Sequence, residues 1–209
     1  MKGFFIVFEG IDGSGKGTLI SGVKKLLLAQ GFPEEKILFT AEPTKGFYGK
    51  KVRELLKSEV NPDVNAKQFL DLYVADRREH VEKEILPALR EEKIILCDRF
   101  KYSTIVYQSL QGIPIKKILG LHENFPVPDL VFILDLPADI ALQRIKADSK
   151  RQRLEAFEKK VFLEKVRHVF TCVKTLFPEE KILVVDASRG AKEVEKEVAG
   201  ILIPLLGKK

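Results

Sequence analysis

Residues 4–20 read Phe-Phe-Ile-Val-Phe-Glu-Gly-Ile-Asp-Gly-Ser-Gly-Lys-Gly-Thr-Leu-Ile, and this stretch decides how the chain is built. The apolar run from Phe4 to Phe8 has the length of a buried strand. It is too short for a secretory leader and meets Glu9 without a small-residue cleavage pattern. From Lys16 to Gln30 the apolar residues Leu19, Ile20, Val23, Leu26 and Leu27 recur with helical period until Gly31 and Pro33 stop them. Between strand and helix lies Gly10-Ile11-Asp12-Gly13-Ser14-Gly15-Lys16, a G-x-x-x-x-G-K loop in the strand-to-helix context that a phosphate cradle requires.

Such a loop, a P-loop, lets backbone N–H groups converge on phosphate oxygens, while the helix N-terminus adds its dipole and Lys16 reaches the β and γ oxygens. Gly10, Asp12, Gly13, Ser14, Gly15, Lys16, Gly17 and Thr18 are therefore the expected ATP-binding residues. Gly17 stands where a Ser or Thr usually ligates Mg²⁺. A metal here would rest on phosphates, waters and nearby carboxylates.

Working outward, short apolar runs predict further strands at Ile37–Thr40, Ile94–Cys97, Leu130–Asp135 and Ile182–Val185. Helical patterns separate them, including one that Asn65 can cap and that runs toward Leu89 with an interruption near Pro87. Strands alternating with helices imply an α/β fold with a parallel sheet covered on both faces. Ligands of such sheets bind beyond the carboxyl ends of the strands, where Glu9, Glu42, Asp98-Arg99, Asp135 and Asp186 fall.

The 209 residues suit one domain, and 45% hydrophobic with 32% charged residues describe a globular chain. No apolar segment approaches the ~20 residues of a membrane span. Cys97 and Cys172 form no metal or disulfide pattern, which points to a reducing, cytoplasmic setting. The net charge of +6 fits anionic small molecules or nucleic acid and does not choose between them. Most charges sit in mixed Lys/Glu runs of the kind found on solvated helix faces. His80, His122 and His168 form no nucleophile or metal pattern and read as structural or exposed.

The remaining motifs, in order, resemble those of thymidylate kinases. They are Phe8–Lys16, Glu42-Pro43, Leu72–Arg77, Asp98-Arg99-Phe100, Ser103-Thr104, Tyr107-Gln108, Pro128-Asp129-Leu130, Leu134-Asp135, Arg153-Leu154-Glu155 and Asp186-Ala187. The resemblance implies a three-layer P-loop kinase fold over residues 1–209, with a five-stranded parallel sheet flanked by helices and a lid at about 144–155. It implies transfer of the γ-phosphoryl of Mg-ATP to dTMP, a homodimer, and neither a nucleic-acid nor a membrane partner. Kinases of another monophosphate, such as dUMP or AMP, and a nucleic-acid-stimulated ATPase are the rival readings.

The same resemblance assigns roles to individual residues. Tyr73 stacks on the acceptor base and Arg77, one helical turn on, donates to a base carbonyl. Arg53 and Arg99 hold the acceptor phosphate, Asp12 meets the sugar 3′-hydroxyl, and Ser103 and Gln108 complete the base pocket. Asp98 and Glu42 organise Mg²⁺. Lys16, Arg99 and Arg153 are the expected catalytic residues, Arg153 because the P-loop lacks an arginine and the lid has several, Arg144 and Arg151 among them. Ala41 and Thr44-Lys45 depart from the family's usual arginine before Glu-Pro and Gly-Gly after it.

Overall fold

The apolar run that opens the chain becomes the middle strand of a five-stranded sheet. The computed structural model describes residues 3–58, 64–147 and 160–207. In chain order the elements are β1 (Phe4–Gly10), α1 (Lys16–Ala29), β2 (Ile37–Ala41), α2 (Phe47–Ser58), α3 (Ala66–His80), α4 (Leu86–Arg90), β3 (Ile94–Asp98), α5 (Lys101–Leu110), α6 (Ile115–Gly120), β4 (Leu130–Asp135), α7 (Ala138–Ala147), α8 (Lys160–Cys172), β5 (Ile182–Asp186) and α9 (Ala191–Gly207).

All strand pairings are parallel, in the order β2-β3-β1-β4-β5. β4 has the expected bounds, and the other four expected strands extend one or two residues further along, so Gly10, Ala41, Asp98 and Asp186 still belong to the sheet. Parallel strands buried on both faces need near-continuous apolar sequence, and β4 shows this with Leu130 to Ile133 fully buried. The helices flank the sheet as expected, α1 packing on α9, and α5 on α8, α3 and α6.

On α1, Leu19, Ile20, Val23 and Leu27 are buried and Leu26 is half-buried, as their spacing requires. The helical stretch after Asn65 is indeed interrupted before Pro87, by one turn of π-helix at Val81–Ile85. Proline has no N–H to offer the preceding turn, and the wider turn accommodates that loss. No helix among the described residues is long and apolar enough to cross a membrane. The expected lid lies mostly outside the described residues, Arg151 and Arg153 included; Arg144, near the end of α7, is described.

Candidate active site

The parallel sheet brings the carboxyl ends of β1, β2 and β3 side by side, and the chain leaves each of them with polar residues. The loop after β1 turns tightly into α1 through Gly13 and Gly15, both with positive φ. Gly13 also has no room for a side chain, since a Cβ there would stand 2.5 Å from the Ala141 carbonyl oxygen of α7. Within the loop the Lys16 ammonium donates to the Gly10 and Ile11 carbonyl oxygens at 3.2 and 3.1 Å. Burial and the neighbouring Arg99 charge lower its pKa, against the pull of Asp98, Asp12 and Glu9.

Arg99 follows β3 in the left-handed region, φ 70°. That turn returns its guanidinium over the loop, where it donates to the Gly10 carbonyl (3.0 Å), Asp12 Oδ1 (2.7 Å) and Ser103 Oγ (2.8 Å). Two cations, Lys16 and Arg99, thus converge on the P-loop, an arrangement suited to phosphate oxygens.

Beneath them Glu9 is fully buried. Its carboxylate accepts from the Phe100 and Ser103 backbone N–H groups and from Ser103 Oγ (2.6 Å), so it caps the N-terminus of α5. Burial raises its pKa more than the Arg99 charge and these hydrogen bonds lower it.

An open cleft runs from the P-loop toward α3. Asp12, Glu42, Arg53 and Tyr73 line it together with Arg77, Arg99, Ser103 and Gln108, so every residue expected to bind the acceptor, and Glu42, meets there. Phe100, Thr104 and Tyr107 also line it, and had no role assigned from sequence although they lie within the quoted motifs. Arg53 donates to the carbonyls of Pro43 and Thr44, and to that of Gly49 at 3.3 Å. Tyr73 is half-buried and stacked on Phe69, ring centroids 6.3 Å apart.

Arg77 is almost completely buried. Its Nε and Nη2 both donate to Glu42 Oε2, at 2.9 and 2.5 Å, and Nη2 also donates to Thr104 Oγ1 at 3.0 Å. Nη1 donates to His122 Nε2 at 2.6 Å. The other Glu42 oxygen, Oε1, accepts from His80 Nδ1 at 3.0 Å. Thr44 is tied to α3 through the buried Asp76, to which its N–H and Oγ1 both donate, at 2.8 and 2.5 Å. Glu42, expected beside a metal, therefore has both oxygens engaged by side chains of α3.

Gln108 is also buried; its amide nitrogen donates to Gln111 Oε1 at 2.8 Å, and its own Oε1 has no partner among the described residues. Asp98 Oδ1 is likewise buried and unpartnered among the described residues. No group of three or more metal-ligating side chains occurs among them. A single carboxylate with an open oxygen fits Mg²⁺ carried in by phosphates and waters better than a metal caged by protein.

A second recess lies on the other side of the P-loop, lined by Ser14, Gly15 and Thr18 together with Arg144, Ala187 and Arg189. Arg144 donates to the Ala187 carbonyl at 3.3 Å, which joins the end of α7 to the turn after β5. Arg189, which had no role assigned from sequence, pairs with Asp186 and Glu197.

The family model for thymidylate kinase matches residues 8–198 of this chain. The chain belongs to the thymidylate kinase family. It is 38% identical to a probable thymidylate kinase of Pyrococcus horikoshii over 97% of both chains. It is 39% identical to a thymidylate kinase of Brachyspira hyodysenteriae over 95% of this chain and 92% of the relative. A probable thymidylate kinase of Pyrobaculum calidifontis is 40% identical over 95% of each. Membership of the thymidylate kinase family makes the chain a phosphotransferase, with ATP and a nucleoside monophosphate as its substrates.

Proposed function

We propose that the cleft between the P-loop and α3 binds dTMP, that the recess beside Ser14 and Arg144 binds ATP, and that the γ-phosphoryl passes between them to give dTDP and ADP. The observation that carries the acceptor assignment is the polar pattern on the cleft wall. A guanidinium has five N–H donors, and Arg77 uses four of them on described residues. The fifth, on Nη1, is left for a ligand, and Gln108 contributes an unpartnered acceptor to the same cleft. A thymine or uracil edge offers the complement, a carbonyl O4 beside an N3–H. Cytosine offers an amine and a bare nitrogen, so each of its groups would oppose one of like kind.

In this reading Tyr73 covers the base, Asp12 meets the 3′-hydroxyl, and Ser103 supports Arg99. Arg53 and Arg99 turn from the carbonyls they now hold to the acceptor phosphate. Lys16 likewise leaves the Gly10 and Ile11 carbonyls for the transferred phosphoryl group. Phosphoryl transfer is chiefly positioning and charge neutralisation, so cations that exchange carbonyl partners for phosphate oxygens supply what the reaction needs. Asp98 would hold Mg²⁺ through its open oxygen, and the metal would neutralise charge on the donor phosphates, whereas Glu42 fixes Arg77 instead. Arg153, which lies outside the described residues, is the further cation for the transferred group. The enzyme works as a homodimer, which light scattering of the purified protein tests.

The deciding assay is ADP release with Mg-ATP against a panel of dTMP, dUMP, dCMP, dGMP and AMP, with single-stranded DNA as a separate stimulant. Activity should follow dTMP, then dUMP, with dCMP and the purines far behind. Preference for AMP or dCMP would overturn the base assignment, and stimulation by DNA alone would overturn the kinase reading.

A further inference from the structure

We infer that His122 acts as a positioning residue for Arg77, holding its guanidinium so that one N–H faces the acceptor base, and thereby sets the preference for a ring carbonyl over a ring amine. The inference rests on the proposal that Arg77 reads the base.

His122 lies just beyond α6, far in sequence from the P-loop, and is absent from the cleft wall. Its two ring nitrogens have partners that leave no choice of tautomer. Nδ1 is 2.7 Å from the Ile118 carbonyl oxygen, which can only accept, so Nδ1 carries the hydrogen. Nε2 is 2.6 Å from Arg77 Nη1, which can only donate, so Nε2 presents its lone pair. The residue is 4% exposed and its ring lies edge-on to Phe125, with centroids 5.7 Å apart. Burial and the Arg77 charge push its pKa down to about 3, so the imidazole remains a neutral acceptor at physiological pH.

The guanidinium is consequently held at both ends. Glu42 and Thr104 take the Nε and Nη2 hydrogens, and His122 takes one of the two on Nη1. Without His122, Nη1 would have two hydrogens without acceptors among the described residues, and the group could tilt to satisfy either. With it, a single donor of defined direction remains, and a donor with no lone pair cannot accept from an amine.

The test compares dUMP with dCMP, whose bases differ only at the edge in question. In the wild type, kcat/KM should favour dUMP strongly. His122→Phe keeps a ring against Phe125 but removes the acceptor; KM for dUMP should rise about tenfold with kcat changed less than about twofold, and the dUMP:dCMP ratio should fall with it. His122→Gln, whose side-chain oxygen can accept where Nε2 does, should recover most of the ratio. A His122→Phe enzyme that keeps the wild-type ratio, or a His122→Gln enzyme as impaired as His122→Phe, overturns the inference. Arg77→Met separates the two levels. If it keeps the ratio, the base-reading role of Arg77 fails and this inference with it; if it loses the ratio while His122→Phe does not, only this inference fails. Ring ¹⁵N spectra of the unmodified protein provide a test that needs no variant to fold. A bare Nε2 and protonated Nδ1 should persist from about pH 5 to about pH 8, and a proton on Nε2 would refute the assignment.

Discussion

The Glu42–Arg77 pair makes Glu42→Gln the most informative single change in the molecule. The two side chains are 2% and 1% exposed, so water screens neither. Replacing the carboxylate by an amide leaves the Arg77 guanidinium buried without its counter-charge, and the amide N–H₂ must face either Arg77 or His80, both donors to Glu42 now. Breaking a buried pair in this way costs about 3–5 kcal/mol, because one charge remains desolvated. With a urea m-value of about 2–3 kcal/mol per M, the unfolding midpoint should fall by about 1–2.5 M at unchanged slope. Far-UV circular dichroism can follow the transition. The chain has no tryptophan, so the tyrosine near-UV signal gives the second probe needed to check two-state behaviour. The double variant Glu42→Gln/Arg77→Met removes the stranded cation as well and should be more stable than Glu42→Gln alone by about 2 kcal/mol. A single-variant shift below about 0.3 M, or a double variant less stable than the single one, would refute the view that Arg77 depends on Glu42 for its burial.

Three further outcomes are expected. Lys16→Ala should lower kcat by about 10²–10³ while the circular dichroism spectrum stays native, and full turnover would remove the lysine from the chemistry. Gly13→Ala places a Cβ 2.5 Å from the Ala141 carbonyl at φ +77°, so a loss of about 2–3 kcal/mol in urea unfolding is expected, with weaker ATP binding by calorimetry; unaltered stability would mean the loop and α7 are less closely packed. Glu9 has its pKa raised by burial above the ordinary 4.5, so its contribution to stability is full below that value and is lost as pH rises through the raised one. Glu9→Gln is neutral throughout, and its stability relative to the wild type should therefore increase in urea titrations as pH rises above the ordinary 4.5, whereas a pH-independent difference would show that Glu9 does not titrate with a raised pKa.

Local patterns in the sequence were enough to place the strands, the P-loop and α1, because a short apolar run or a 3.6-residue period depends only on neighbours along the chain. The four-residue spacing of Tyr73 and Arg77 likewise put both on one helix and, in the structure, on one cleft. The family motifs extended this to Arg53, Ser103 and Gln108, which α2 and α5 bring to the same place. What each of these side chains holds was not legible. His80 and His122 formed no pattern with anything nearby, yet folding sets them against Glu42 and Arg77, partners 38 and 45 residues away. Thr44 looked like a departure from a Gly-Gly motif and proves to be an anchor to Asp76. Glu9 ended a strand in the sequence and caps a helix more than 90 residues on. The sequence by itself determined the alternation of strands and helices and the phosphate-binding loop, since these follow from local spacing. Only the tertiary structure decided which buried charges meet, because a hydrogen bond is formed by distance and direction in space, and the order of residues records neither.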